Sequence, residues 1–86
     1  MMFEVLTKRH VTAACRQVIR DGVPARRAGR STFLQFEGHS LPAKYVLGLA
    51  YELATGNTLG PDDFTGGDAT AVVLRQLGFT VTKTSP

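Results

Sequence analysis

The chain has 86 residues, of which 43% are hydrophobic, and it carries a formal net charge of +3. A chain of this length can build one small hydrophobic core and leaves little room for an enclosed active-site cleft. No apolar run approaches the roughly 18 residues that cross a bilayer, and a single cysteine excludes both an internal disulfide and a Cys-x-x-Cys metal pair. We therefore expect one domain over residues 1–86, with no metal, no cofactor and no membrane contact.

The charge is unevenly distributed along the chain. Residues 1–45 hold eight Lys and Arg against three Asp and Glu, a net charge of +5, whereas residues 46–86 hold two against four, a net charge of −2. This asymmetry predicts one surface that faces a polyanion and another that faces solvent. The absence of a cationic stretch before Glu4 and the single cysteine predict a cytoplasmic location.

The first predicted element is an amphipathic helix between Thr7 and Asp21, with Thr7 as its N-cap. Gly22 and Pro24 end it. Its apolar stripe recurs at i, i+3, i+4 and i+7 and consists of Val11, Ala14, Cys15 and Val18. A polar connector that contains Arg26, Arg27 and Arg30 follows it.

The next segment, STFLQFEGHSL, predicts a short β-hairpin. Thr32, Leu34 and Phe36 alternate with less apolar positions, and residues 37–39 read as the turn. A second helix is expected to start at Leu41 or Pro42, because proline is tolerated in a first turn. Ser40 is its predicted N-cap, and Gly56 is expected to end it. Its predicted buried stripe consists of Val46, Leu49, Ala50 and Leu53.

A third helix is predicted after the turn-rich segment 57–67. Asp68 is its expected cap, its inward-facing residues are Val73, Leu74 and Leu77, and Gly78 ends it. The closing FTVTK alternates and is compatible with one more strand. Together these elements predict a small α+β domain, mainly helical, with about three main helices and a short β-hairpin.

Cations occupy the first turns of two predicted helices, where the helix dipole favours carboxylates. Lys8, Arg9 and His10 open the first helix, and Lys44 opens the second. A bound anion would reverse this unfavourable arrangement. Exposed lysines in first turns are also common, so a purely structural explanation stays open for either helix alone.

The arginine connector strengthens the argument for a phosphate ligand. Guanidinium groups match phosphate oxygens two at a time, and Arg26, Arg27 and Arg30 lie close enough in sequence to reach neighbouring phosphates. Ser31 can add a hydroxyl donor. The Gly66-Gly67 turn would let the backbone approach a ligand, although an ordinary loop explains it equally well.

Catalysis is not expected. His10, His39 and Cys15 do not have the spacing of metal ligands, and Cys15 falls on the buried stripe of the first helix. Asp62 and Asp63 read as a solvated turn, and no hydrolase or nuclease motif is present.

The segments GRSTFLQFEG, SLPAKYVLGLAYELATG and FTGGDATAVVLRQLGF resemble the sulfur-binding domain of modification-dependent (type IV) HNH restriction endonucleases, which recognises phosphorothioated DNA. The resemblance covers about residues 7–82. In that family an apolar pocket around the proline at a helix start holds the sulfur, and an arginine closes one side. This sequence departs from the family at Leu41, where an aromatic residue is usual, and at Ala43, which replaces a second proline.

The resemblance implies a set of site residues. The sulfur pocket would be formed by Leu41, Pro42, Tyr45 and Arg30. The phosphate-binding residues would include the connector and the cations at the two helix starts. They are Lys8, Arg9, Arg26, Arg27, Arg30, Ser31 and Lys44. Further candidate DNA contacts are His39, Ser40, Thr65, Gly66 and Gly67.

These observations predict a non-catalytic module that binds double-stranded DNA carrying phosphorothioate linkages, in a context where an HNH nuclease domain belongs to the same protein or acts with it. Two other functions stay open. One is a generic or sequence-specific DNA-binding or regulatory domain, and the other is a module that docks an acidic protein through the same arginines.

Overall fold

The computed structural model describes residues 5–23, 32–58 and 68–83. Three helices and three strands follow in the order α1 (Lys8–Asp21), β1 (Thr32–Phe36), β2 (His39–Pro42), α2 (Ala43–Thr55), α3 (Asp68–Gln76) and β3 (Thr80–Lys83). The strands form one antiparallel sheet in the order β2-β1-β3. The predicted α+β class is confirmed, and the alternating C-terminal segment is the third strand.

The local signals of α1 are confirmed. Thr7 caps the helix, Gly22 follows its last residue with φ of +82°, and the predicted stripe is its buried face. Glycine suits that position because residues with a Cβ rarely adopt such a φ.

The hairpin turns through two residues, Glu37 and Gly38. Both have positive φ, of +48° and +84°, and the register pairs Phe36 with His39. This is the geometry of a type I′ turn, whose twist matches that of the flanking strands.

The core forms where one face of the sheet meets the helices. Leu34 is paired with Leu41 on one side and with Val81 on the other, and all three are buried. They belong to the same hydrophobic cluster as the buried face of α1 and as Leu47 and Leu74 of the other two helices.

The start and the buried face of α2 differ from the prediction. The helix begins at Ala43, with Pro42 as its N-cap, because Leu41 and Pro42 extend β2. Ser40 is therefore not the cap. α2 packs against α1, β1 and α3, so its buried surface is wider than one stripe and includes Leu47 and Gly48. The predicted core residue Leu53 is instead 45% exposed.

α3 starts at Asp68 itself and ends as predicted before Gly78, which has φ of +95°. Leu74 is fully buried, and Val73 and Leu77 are half-buried against the core. The guanidinium Nη2 of Arg75 donates a hydrogen bond of 3.0 Å to the backbone carbonyl of Val81, which ties α3 to β3.

Candidate nucleic-acid interface

The N-terminus of α1 is held by two reciprocal hydrogen bonds. The His10 backbone N–H donates to Thr7 Oγ1 (3.4 Å), and the Thr7 N–H donates to His10 Nδ1 (3.1 Å). This is a capping box in which an imidazole takes the place that glutamate or glutamine usually holds.

The first turn of α1 contains no carboxylate, as the sequence indicates. Lys8 and Arg9 are both exposed there. The Lys8 ammonium lies 3.8 Å from the position that a Cβ on Gly78 would take, so this side chain reaches toward the turn between α3 and β3. Lys8 and Arg9 therefore point to different parts of the surface.

The N-terminus of α2 has a different character. Pro42 has no side-chain acceptor, so the helix has no side-chain cap, and its first turn contains no carboxylate. Ser40, expected to cap it, instead donates from its hydroxyl to Gln35 Oε1 at 2.9 Å. The second helical residue is Lys44, which is half-buried. An uncapped N-terminus next to a cation favours a negatively charged ligand.

The proposed pocket walls Leu41 and Pro42 lie on opposite faces of β2. Leu41 is 6% exposed and pairs with Leu34 on the core face. Pro42 pairs with Phe33 on the other face and is also buried. Tyr45, the third residue of α2, is half-buried against the core. Pro42 and Tyr45 flank the helix start, while Leu41 lies behind it.

The remaining sequence-predicted contacts divide into two groups. His39 and Ser40 are exposed on β2, at the end of the sheet where the hairpin turns. The other candidates lie outside the described residues and are Arg26, Arg27, Arg30, Ser31, Thr65, Gly66 and Gly67.

Thr32, the first described residue after the arginine connector, has an unusual environment. Thr32 is 8% exposed, and among the described residues its buried Oγ1 has no hydrogen-bond partner. An unsatisfied buried hydroxyl costs about 1–3 kcal/mol, so it calls for an explanation.

Cys15 is fully buried on α1. Burial raises the pKa of its thiol to about 11, so it is neither a nucleophile nor a metal ligand at neutral pH. Among the described residues, no group of three His, Cys, Asp or Glu side chains is placed to hold a metal ion. No helix in the same ranges has the length and apolarity to span a bilayer.

A protein-family model described as the ScoMcrA-like N-terminal head domain matches residues 4–83, nearly the whole chain. The chain belongs to this family. Neither the curated proteins nor the solved structures contain a significant match to it.

Membership among the ScoMcrA-like head domains fits the type IV restriction-enzyme module that the sequence resemblance implied. The family description names a head domain and does not include sulfur recognition. Recognition of the phosphorothioate linkage therefore stays a prediction for this head domain.

One cation of this head domain that the sequence reasoning did not assign to the site is Arg16. Its guanidinium carbon lies 5.5 Å from the centroid of the Phe36 ring, and its Nη2 lies 3.3 Å from Glu37 Oε2. These contacts join α1 to the tip of the hairpin across 20 residues of sequence. The sequence did contain a signal that could have identified Arg16. It lies seven residues after Arg9 and four before Arg20, which places all three arginines on one helix face.

Proposed function

We propose that this domain is a non-catalytic DNA-reading module that recognises a phosphorothioate linkage in duplex DNA. The observation that carries the proposal is the start of α2, where the helix has no side-chain cap, contains Lys44 in its first turn and is flanked by Pro42 and Tyr45. Membership in a restriction-enzyme head family supports DNA as the ligand.

The chemistry of the linkage explains why such a site can discriminate. Sulfur in place of a non-bridging oxygen is larger and less strongly hydrated, so its transfer to an apolar surface costs less than the transfer of oxygen. Pro42 is buried, so only a small part of its surface is open to the proposed contact. The remaining charged oxygen would accept hydrogen bonds from the first N–H groups of α2.

The cations have a separate role in this proposal. They attract modified and unmodified phosphates alike, so they supply affinity and orientation while the apolar contact supplies selectivity. Arg26, Arg27 and Arg30 are proposed to hold the flanking phosphates, with Lys8, Arg9 and Lys44. Arg30 also closes the sulfur pocket in this proposal, and Leu41 supports Pro42 from behind.

The start of β1 is a proposed further contact. Ser31 and the buried, unpartnered hydroxyl of Thr32 follow the arginine connector directly. Among the described residues this hydroxyl has no partner, and a change in the Thr32 side chain on DNA binding would let it donate to a ligand oxygen. His39, Ser40 and the segment Thr65–Gly67 are proposed as outer contacts. An HNH nuclease domain in the same protein or in a partner would cleave the DNA that this module binds.

A paired titration tests the proposal. Two duplexes of identical sequence, one with a single phosphorothioate linkage, are titrated with the domain at about 0.1 M salt. We expect the modified duplex to bind at least about tenfold more tightly. Equal binding to both duplexes would overturn phosphorothioate recognition and leave a general DNA-binding domain.

A variant of Pro42 sharpens the test. Pro42→Ser adds a hydroxyl to the proposed apolar contact, and serine is a favoured N-cap residue that keeps the helix start folded. The ratio of the two affinities should fall toward one, while binding to the unmodified duplex changes little. Glu52→Gln, an exposed change on the far end of α2, is the control and should keep the ratio of the original protein.

A further inference from the structure

The solvent-facing side of α1 carries a row of three arginines, and only Arg9 among them is assigned to the proposed sulfur site. Arg9, Ala13, Arg16 and Arg20 lie at i, i+4, i+7 and i+11, and all four are exposed. This spacing keeps them within about 60° of the helix circumference. We call these four residues the arginine stripe.

The stripe supplies three of the four Lys and Arg residues of α1. α1 holds four Lys and Arg against one Asp, a net charge of +3, which equals the net charge of the entire chain. Lys8 reaches toward Gly78 and is not part of the stripe. The stripe lies on α1, whereas the proposed sulfur contact lies at the start of α2.

Two of the three guanidinium groups are held in place by contacts, yet both side chains remain largely exposed to solvent. Arg16 contacts the Phe36 ring and Glu37, with 62% of its side chain exposed. Arg20 forms two hydrogen bonds to Asp21, of 3.0 and 3.1 Å, with 72% of its side chain exposed. Such exposed pairs contribute little to stability, so a phosphate can replace either carboxylate.

We infer that the arginine stripe is a second contact surface for the phosphate backbone of duplex DNA. Arg9 and Arg20 are 11 residues apart, or about 16 Å along the helix axis. Neighbouring phosphates of one strand advance by about 3.4 Å along the duplex axis while winding around it, so the stripe is long enough to reach more than one of them. Ala13, between the arginines, has a small side chain that lets the helix approach the backbone closely.

The same observations argue against an anionic membrane as the ligand. An amphipathic helix binds a bilayer through its apolar face, but the apolar face of α1 is buried in the core at Val11, Ala14, Cys15 and Val18. The match to a ScoMcrA-like head domain favours DNA over a folded acidic protein as the ligand.

The inference rests on the proposed function only in taking duplex DNA as the ligand.

Arg16→Gln and Arg20→Gln are suitable variants because glutamine has nearly the helix propensity of arginine. The slope of log affinity against log salt should decrease by about 0.9 for each arginine removed, with affinity at 0.1 M salt about five- to tenfold lower. The loss should be the same for modified and unmodified duplexes.

Two controls separate a local contact from a general charge effect. Arg16→Gln combined with Glu52→Gln restores the net charge of +3, and it should bind as weakly as Arg16→Gln alone. Glu37→Gln releases Arg16 from its ion pair, and it should bind DNA more tightly than Glu52→Gln, which changes the net charge by the same amount. Recovery of affinity in the charge-restored variant would overturn the inference.

The outcomes for the two proposals are distinguishable. An unchanged salt slope in the Arg16 and Arg20 variants, with selectivity for the modified duplex intact, overturns the arginine stripe and leaves the proposed function standing. A decreased slope without selectivity supports the stripe and overturns sulfur recognition. Failure of the original protein to bind any duplex overturns both.

Discussion

Leu41 lies directly opposite Leu34 in the register of β1 and β2, and both side chains are buried in the core. Leu41 therefore stabilises the domain whatever else it contacts. We expect Leu41→Ala to lower the free energy of unfolding by about 2–4 kcal/mol, through lost apolar contact and a cavity. Urea unfolding followed by circular dichroism measures this change.

Leu41→Met is the matched control, because it conserves volume and should cost less than about 1.5 kcal/mol. At temperatures where both variants are folded, Leu41→Met should keep the preference for the modified duplex, whereas Leu41→Ala should weaken it, because Leu41 supports Pro42 in the proposed site. A Leu41→Ala protein that is as stable as the original would contradict the core position of this side chain.

The capping box of α1 predicts a second stability effect. His10→Ala removes the acceptor for the Thr7 N–H and should lower the free energy of unfolding by about 0.5–1 kcal/mol. His10→Gln places the usual capping-box acceptor at the same position and should retain most of the stability. Equal losses in the two variants, measured by thermal unfolding, would show that the imidazole acceptor does not stabilise the helix start.

Most of the fold could be predicted from the sequence where the signals are local. Thr7, Gly22 and the apolar stripe between them define α1, because a cap, a stop and a 3.6-residue period all act within one helix. The position of the turn at Glu37-Gly38 was predictable, but its length was not, because His39, predicted as a third turn residue, pairs with Phe36 and begins β2.

The start of α2 could not be predicted in the same way, because pairing between strands decides it. The sequence allows a helix from Ser40 onward, but Leu41 and Pro42 pair with β1 and remain extended. Leu53 has the helical spacing of a core residue, yet it is 45% exposed. Tertiary contacts, which a single helical period does not contain, determine both outcomes.

The candidate site was predictable at the level of charge and less so at the level of geometry. The cations at both helix starts were visible in the sequence. The contact of Arg16 with Phe36 and Glu37 depends on how α1 packs against the hairpin, and no local pattern encodes it. The opposite orientations of Leu41 and Pro42 follow only from the position of β2 in the sheet.

The unpartnered hydroxyl of Thr32 predicts opposite effects on stability and binding. Thr32→Val has nearly the same shape, removes the buried polar atom and favours a strand. We expect the free energy of unfolding to rise by about 1 kcal/mol, and the affinity for duplex DNA to fall if the hydroxyl donates to a ligand oxygen. Unfolding and DNA titration of the same preparation measure both effects, and a stable variant with unchanged affinity would exclude Thr32 as a contact.

The buried thiol of Cys15 predicts how stability depends on alkaline pH. Burial raises its pKa from 9.0 to about 11, with smaller opposing effects from Arg16, which lowers it, and Glu37, which raises it. In the folded protein the thiol keeps its proton between pH 9 and 11, whereas in the unfolded chain it loses the proton as pH rises above 9. The unfolded state is therefore favoured increasingly over this interval, so this contribution to stability is fully present below pH 9 and declines through pH 11.

Cys15→Ala leaves a small cavity and should be less stable at neutral pH, but it lacks this decline. The difference in the free energy of unfolding between the two proteins should narrow from pH 9 to 11, and a constant difference across that range would show that the thiol is not protected from ionisation in the folded state.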